Sequence, residues 1–181
     1  MAKFMKRWCI KRENMKRWCR HLCALPSAVK KHFSHAAMQR IEAAIANSEA
    51  LHSGEIRFAV EAKLSFLELI ARKTAKQRAL EVFSELRVWD TAQNNGVLIY
   101  LLLADHDFEI LADRGIHQHV GGAGWEQISH QMELMFRQGK FEAGVVDGIS
   151  KISEHLIQYY PAQSENQGEN HNELPNAPVI L

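Results

Sequence analysis

No uninterrupted apolar run in the 181 residues approaches the roughly 20 that a membrane-spanning helix needs, so the sequence predicts no transmembrane segment. Cysteine is scarce and confined to one place. Cys9, Cys19 and Cys23 all stand near the N-terminus, and the remaining chain has none, which excludes a secreted disulfide scaffold and fits a reducing compartment. The N-terminus also lacks the apolar stretch of a secretory signal, because Lys16, Arg17 and Arg20 recur where that stretch would lie. The expected location is the cytoplasm. Residues 162–181 lack Lys, Arg and aromatics and are rich in Asn, Gln, Glu and Pro, so they are expected to be disordered, their apolar end at Pro178 to Leu181 being at most a docking peptide.

What is present describes one globular domain with tails. Apolar residues make up 46% and charged residues 24%, enough to bury a core without a structural metal. The formal net charge of +1 hides a division. Residues 1–31 carry ten Lys/Arg against Glu13 alone, a formal +9, and residues 32–181 a formal −8. A basic arm on an acidic body is drawn to anionic surfaces by long-range attraction.

Within the arm, Met5-Lys6-Arg7-Trp8-Cys9 returns as Met15-Lys16-Arg17-Trp18-Cys19. Interspersed with Phe4, Ile10, Leu22 and Leu25, the pattern reads as an interfacial helix on an anionic membrane, with Trp8 and Trp18 at headgroup level and Lys6, Arg7, Lys16 and Arg17 among the cations. A flexible basic tail, or a chain start at Met15, is the alternative reading. Nucleic acid is not the expected partner, since the acidic body would oppose a polyanion laid across it.

Downstream, helical spacing at Met38, Ile41 and Ile45 predicts a helix from Ser34 to about Leu51, and alternation predicts a strand over 55–62. Ser65 and Glu68 form a capping-box pattern that predicts one long helix to about Arg87. Seven apolar residues, Val97 to Leu103, predict a strand covered on both faces. A turn at Asp105-His106-Asp107 then returns an antiparallel strand over 108–113. Glycines 121, 122 and 124 precede a predicted helix from Trp125 to Gln138, and a last helix runs from about Glu142 to Tyr159.

Strand, helix, strand makes a parallel pair, and the hairpin gathers two polar corners. The first holds Asp90, Thr91, Asn94, Asn95, Asp113, Arg114, His117 and His119, with Gly124 close behind. The second holds Asp105, His106 and Asp107 near the carboxyl ends of the parallel strands, where open α/β sheets usually bind ligands.

The stretches Asn95-Gly96-Val97-Leu98, Phe108 to Ile116, and Phe136 to Val145 resemble the TPM domain, the family of plant thylakoid-lumen repair proteins and many bacterial proteins. The resemblance spans about 34–160. It implies an α/β/α sandwich around a small mixed sheet, flanked here by the arm at 1–33 and the tail at 161–181. It also implies acid-phosphatase activity in some members and binding of divalent cations such as calcium through acidic loops in others. Better-known members are exported, carry an anchor and have Gly-Tyr-Gly where Asp113-Arg114-Gly115 stands here. This chain therefore resembles the compact cytoplasmic bacterial branch, whose members are often encoded beside LemA-type membrane proteins.

Two functions follow as expectations. The first is an interaction module at the inner membrane surface, held by the arm to anionic lipid or to a membrane protein such as a LemA-type partner. The second is a divalent-metal-dependent phosphatase. In that reading Asp113 and Asp90 hold calcium or magnesium in preference to zinc, Arg114 grips phosphate, His117 donates a proton, and Asn94, Asn95 and the amides near Gly124 receive the anion.

Overall fold

The computed structural model describes residues 15–25, 27–162 and 172–181. Helices occupy residues 15–23 (α1), Ser27–His32 (α2), His35–Glu49 (α3), Phe66–Ile70 (α4), Ala75–Glu85 (α5), Arg114–Arg137 (α6) and Phe141–Tyr159 (α7). Strands occupy Ile56–Glu61 (β1), Val97–Leu102 (β2), Asp107–Ala112 (β3) and Val179–Ile180 (β4), in the spatial order β3-β2-β1-β4. β1 runs parallel to β2 and to β4, and β2 pairs antiparallel with β3.

Helices cover both faces, which makes the sandwich. Ile56, Phe58 and Val60 of β1 join Val97, Ile99 and Leu101 of β2 on one face, against Ile41 and Ile45 of α3, Ile128 and Met132 of α6, and Val145 to Leu156 of α7. Ala59, Leu98, Tyr100 and Leu102 face the other way onto Leu69 of α4 and Ala75, Ala79 and Val82 of α5. This division follows from the two-residue period of a strand. β1 and β2 are buried along their whole length, as an unbroken apolar β2 requires.

Three boundaries differ from expectation. The long helix after Ser65 is two helices. Ser65 and Glu68 cap α4, the chain turns through Arg72 at φ 54°, and Thr74 with Gln77 forms a second capping box for α5. The helix expected from Trp125 begins instead at Arg114, capped by Asp113, and breaks at Gly121 (φ 68°, ψ 172°), a backbone conformation open to glycine.

The third difference is at the C-terminus. Residues 172–181, expected to be disordered, lie along the sheet: Val179 and Ile180 pair with Ala59 and Val60, and Leu174 is buried. Composition misled because the attachment is made by the body. Glu55 accepts the Glu173 amide through Oε1 (3.0 Å) and the Leu174 amide through Oε2 (3.3 Å). Residues 163–171 of the expected tail lie outside the described residues.

A polar cluster lies beside this attachment. Glu49 is buried and accepts the Ile56 amide (2.9 Å), and Arg57 is buried within reach of the charges of Glu49 and Glu55. Burial pushes the Glu49 carboxyl up to about 8, and burial pushes His52 down to about 4.

Two outcomes are expected. Leu174→Ala should lower unfolding stability by about 2–3 kcal/mol in urea denaturation, since it empties a buried site, whereas an undocked tail would leave the midpoint unchanged. Glu49 keeps its proton to about pH 8 when folded but loses it near 4.5 when unfolded, so stability falls as pH rises through that window. His52 acts in the opposite sense and is spent above its ordinary value of 6.5. Denaturation between pH 6.5 and 8 should therefore show a decline of about 2 kcal/mol that Glu49→Gln flattens.

Candidate functional site

The first corner assembles as the hairpin requires. β3 closes on β2 through Val97 opposite Ala112, and the Asp113 amide continues the ladder onto the Gly96 carbonyl at 2.9 Å. Asp113 thus stands beside Asn95 and caps α6, its Oδ1 accepting the Arg114 amide (2.6 Å). Asn94, at φ 53°, presents its carbonyl to the Ile116 amide (3.3 Å). Asn95 is fully buried; its amide donates to Thr91 Oγ1 (3.1 Å) and its Nδ2 to the Ser53 carbonyl (3.0 Å). A Cβ at Gly115 would lie 2.5 Å from the Asn94 carbonyl oxygen, so only glycine lets the first turn of α6 pack on this loop.

Several residues of that corner are bonded as a structural joint. Asp113 places its own carboxylate at the helix N-terminus, the position an incoming phosphate would need. Arg114 and His117 are exposed one turn apart on α6. His117 and His119 lie two residues apart on a helix, about 200° around its axis, and His119 stacks on Tyr159 with centroids 4.5 Å apart. Gly124 sits within α6 beyond the break. Asp90 is exposed and shares no hydrogen bond or ion pair with Asp113 among the described residues. Among those residues no three His, Cys, Asp or Glu side chains converge as a metal site would need. Asp113 Oδ2 is buried without a hydrogen-bond partner, near enough to Tyr160 for its charge to join burial in raising that phenol.

The second corner carries the interaction that the sequence reading missed. A short 3-10 turn, Leu103–Asp105, ends β2, and His106 at φ 54° turns the chain into β3. Asp105 is gripped by α1. Arg17 Nε donates to both carboxylate oxygens (3.0 Å each), and Nη2 donates to Oδ2 (2.7 Å) and to the Lys73 carbonyl (2.6 Å). His21, essentially buried, accepts the Leu64 amide on Nδ1 (3.0 Å), which leaves its ring proton on Nε2 to donate to Asp105 Oδ1 (3.0 Å). Arg20 adds its charge at 3.7 Å. Burial acts to raise the Asp105 carboxyl, but the hydrogen bonds from Arg17 and His21 outweigh it and hold the group below its ordinary value.

The described part of the arm is therefore docked over the carboxyl end of β2. Of the proposed membrane cations, Lys16 is exposed while Arg17 is committed inward. Trp18 is half-buried, edge-on to Phe66 at 5.7 Å. Lys6, Arg7 and Trp8 lie outside the described residues. Asp107 bonds the Phe108 amide (3.0 Å) and, with His106, lines the mouth of a cleft of about 360 Å³ walled by Phe108, Phe136 and Phe141.

A further buried pair lies under α5. Tyr100 donates to Glu61 Oε2 (2.6 Å), and Arg78 Nε reaches the same oxygen (3.1 Å). Glu61 sharing a strand face with Arg57 and Ala59, opposite Ile56 and Phe58, was the signal available in the sequence.

The Arg17 fork is partly buried and made to a desolvated carboxylate, so it should be worth more than a surface pair. A double-mutant cycle of Arg17→Ala and Asp105→Ala, read by urea denaturation, should return a coupling of about 1–3 kcal/mol; a coupling near zero would mean the arm is not seated.

Comparison with known proteins agrees with this architecture. A family model of the TPM domain matches residues 29–155. No curated protein matches. The solved NMR structure of the BA42 protein from the psychrophilic bacterium Bizionia argentinensis superposes with a TM-score of 0.71 at 32% identity, covering 82% of this chain and 94% of that one. With its mixed sheet, hairpin and helical layers matched over this length, the chain belongs to the TPM domain family.

Proposed function

We propose that this chain is a TPM-type interaction module of the cytoplasm, held to the anionic inner face of a membrane or to a membrane protein by its basic N-terminal arm. The observation that carries the reading is the seating of α1. Arg17 and His21 close the carboxyl end of the sheet on Asp105, while Lys16 and Arg20 stay at the surface. The crevice in which an open α/β sheet ordinarily holds a ligand is thus used to display a cationic helix. Among the described residues no helix is long and apolar enough to cross a membrane, so attachment is peripheral in this reading.

In co-sedimentation with vesicles containing phosphatidylglycerol, the full chain should bind and Lys16→Glu with Arg20→Glu should lose about tenfold or more, because each surface cation contributes roughly 1 kcal/mol. Equal binding by that variant would contradict the reading.

The unpartnered Oδ2 of Asp113 favours one second reading, a divalent-metal-dependent phosphatase centred there with Asp90, Arg114 and His117 as helpers. Phosphomonoester turnover by metal-stripped and metal-restored protein distinguishes the two. The module reading expects none above background, and the phosphatase reading expects metal-dependent turnover that Asp113→Ala abolishes.

A further inference from the structure

The docked α1 has three faces. Arg17, Trp18 and His21 turn toward the body. Met15, Cys19, Leu22 and Cys23, spaced i, i+4, i+7 and i+8, make an apolar stripe on the opposite side, with Met15 64% and Leu22 63% exposed. Lys16 and Arg20 run along its flank, both exposed.

α4 lies beside this helix. Trp18, one turn before Leu22 and at the border between the body face and the stripe, rests edge-on against Phe66, the first residue of α4, and α4 buries only Leu69. Phe66, Leu67 and Ile70 stand 59%, 76% and 55% exposed, three large apolar side chains on little more than one turn. That turn is held firmly: Ser65 and Glu68 cap it reciprocally, and Lys73 binds Glu68 at 3.0 Å. Scattered exposed apolar residues need no explanation, but three on one capped turn, joined through Trp18 to a helix with its own exposed apolar stripe, mark a contact surface.

The charge around the patch decides what it contacts. Lys16, Arg20 and Arg72 are exposed at its edge and Lys63 is half-exposed beside it. The nearby carboxylates are already paired, Asp105 with Arg17 and at longer range with the half-exposed Arg20, and Glu68 with Lys73. An apolar centre with a cationic rim and neutralised acids is complementary to the interface of an anionic bilayer.

We propose that α1 and α4 form one lipid-contacting face, in which Phe66, Leu67 and Ile70 enter the headgroup region of an anionic bilayer beside Met15, Cys19 and Leu22, with Lys16, Arg20 and Arg72 against the phosphates. The inference rests on the membrane reading above and adds that the arm binds while docked on the body, so part of the insertion comes from the domain itself.

The test uses the full chain and vesicles of phosphatidylcholine with phosphatidylglycerol, against phosphatidylcholine alone. Leu67→Ser with Ile70→Ser leaves Phe66 on Trp18; Phe66→Ser is the second variant, and circular dichroism melts check that both fold. Each should partition onto the anionic vesicles about tenfold more weakly than the parent chain. An environment-sensitive fluorophore on Cys19, with Cys9 and Cys23 replaced by Ser, should shift to shorter wavelength only with the anionic vesicles. If the apolar variants bind as the parent does while Lys16→Glu with Arg20→Glu does not, the face is not used and the attachment reading survives alone. If the parent binds no anionic vesicle, this face and the lipid form of the attachment reading both fall. If the same substitutions instead abolish a concentration-dependent dimer in sedimentation velocity, the face belongs to a second copy and the lipid assignment is overturned.

Discussion

A guanidinium and an imidazole from the N-terminal arm meet one carboxylate at the end of β2, and the functional account depends on that meeting. Without Arg17 and His21 on Asp105, residues 15–23 would be a loose basic segment and the carboxyl end of the parallel strands an open crevice. With them, the arm gains a fixed orientation: Arg17 also reaches the Lys73 carbonyl, the Leu64 amide holds His21, and Trp18 comes down on Phe66. The opposite charges of arm and body, a formal +9 and −8, supply a general attraction, but the fork at Asp105 gives it an address.

The other end of the chain is tied to the same sheet by similar means. Glu55 receives the amides of Glu173 and Leu174, which brings Val179 and Ile180 alongside β1. Both attachments rest on a carboxylate of the body receiving donors from a terminal segment whose own composition shows little reason to fold. At the Glu55 end of the sheet lies the joint formed by Asn94, Asn95, Gly115 and the Asp113 cap, which fixes α6 to the loop before β2. Asn94, Asn95 and Asp113, read in the sequence as ligand candidates, also hold two elements together in the fold.

Much of the architecture was legible because it rests on local rules. The unbroken apolar run of β2 and the turn at Asp105 to Asp107 gave the parallel pair and the hairpin with nearly correct limits, and the capping box at Ser65 gave the start of α4 but not its end. The second capping box at Thr74 and Gln77 was readable in the same way, but continuous apolar spacing through Ala71 and Ala75 concealed the break. Asp113 reads equally as a strand end or a helix cap, and the three glycines drew the start of α6 too far downstream. The pairing of Arg17 with Asp105, 88 positions apart, and of Glu55 with Glu173, 118 apart, left no local trace. Nothing in the spacing of a basic arm says which acidic residue it will find.

Hydrogen exchange at the α1 amides tests the central claim most directly, because it reports whether the arm is seated without reference to any partner. Protection across residues 18–24 in the full chain, lost in Asp105→Ala, is the result the account predicts. Exchange at the rate of an unstructured peptide in the parent chain would contradict it.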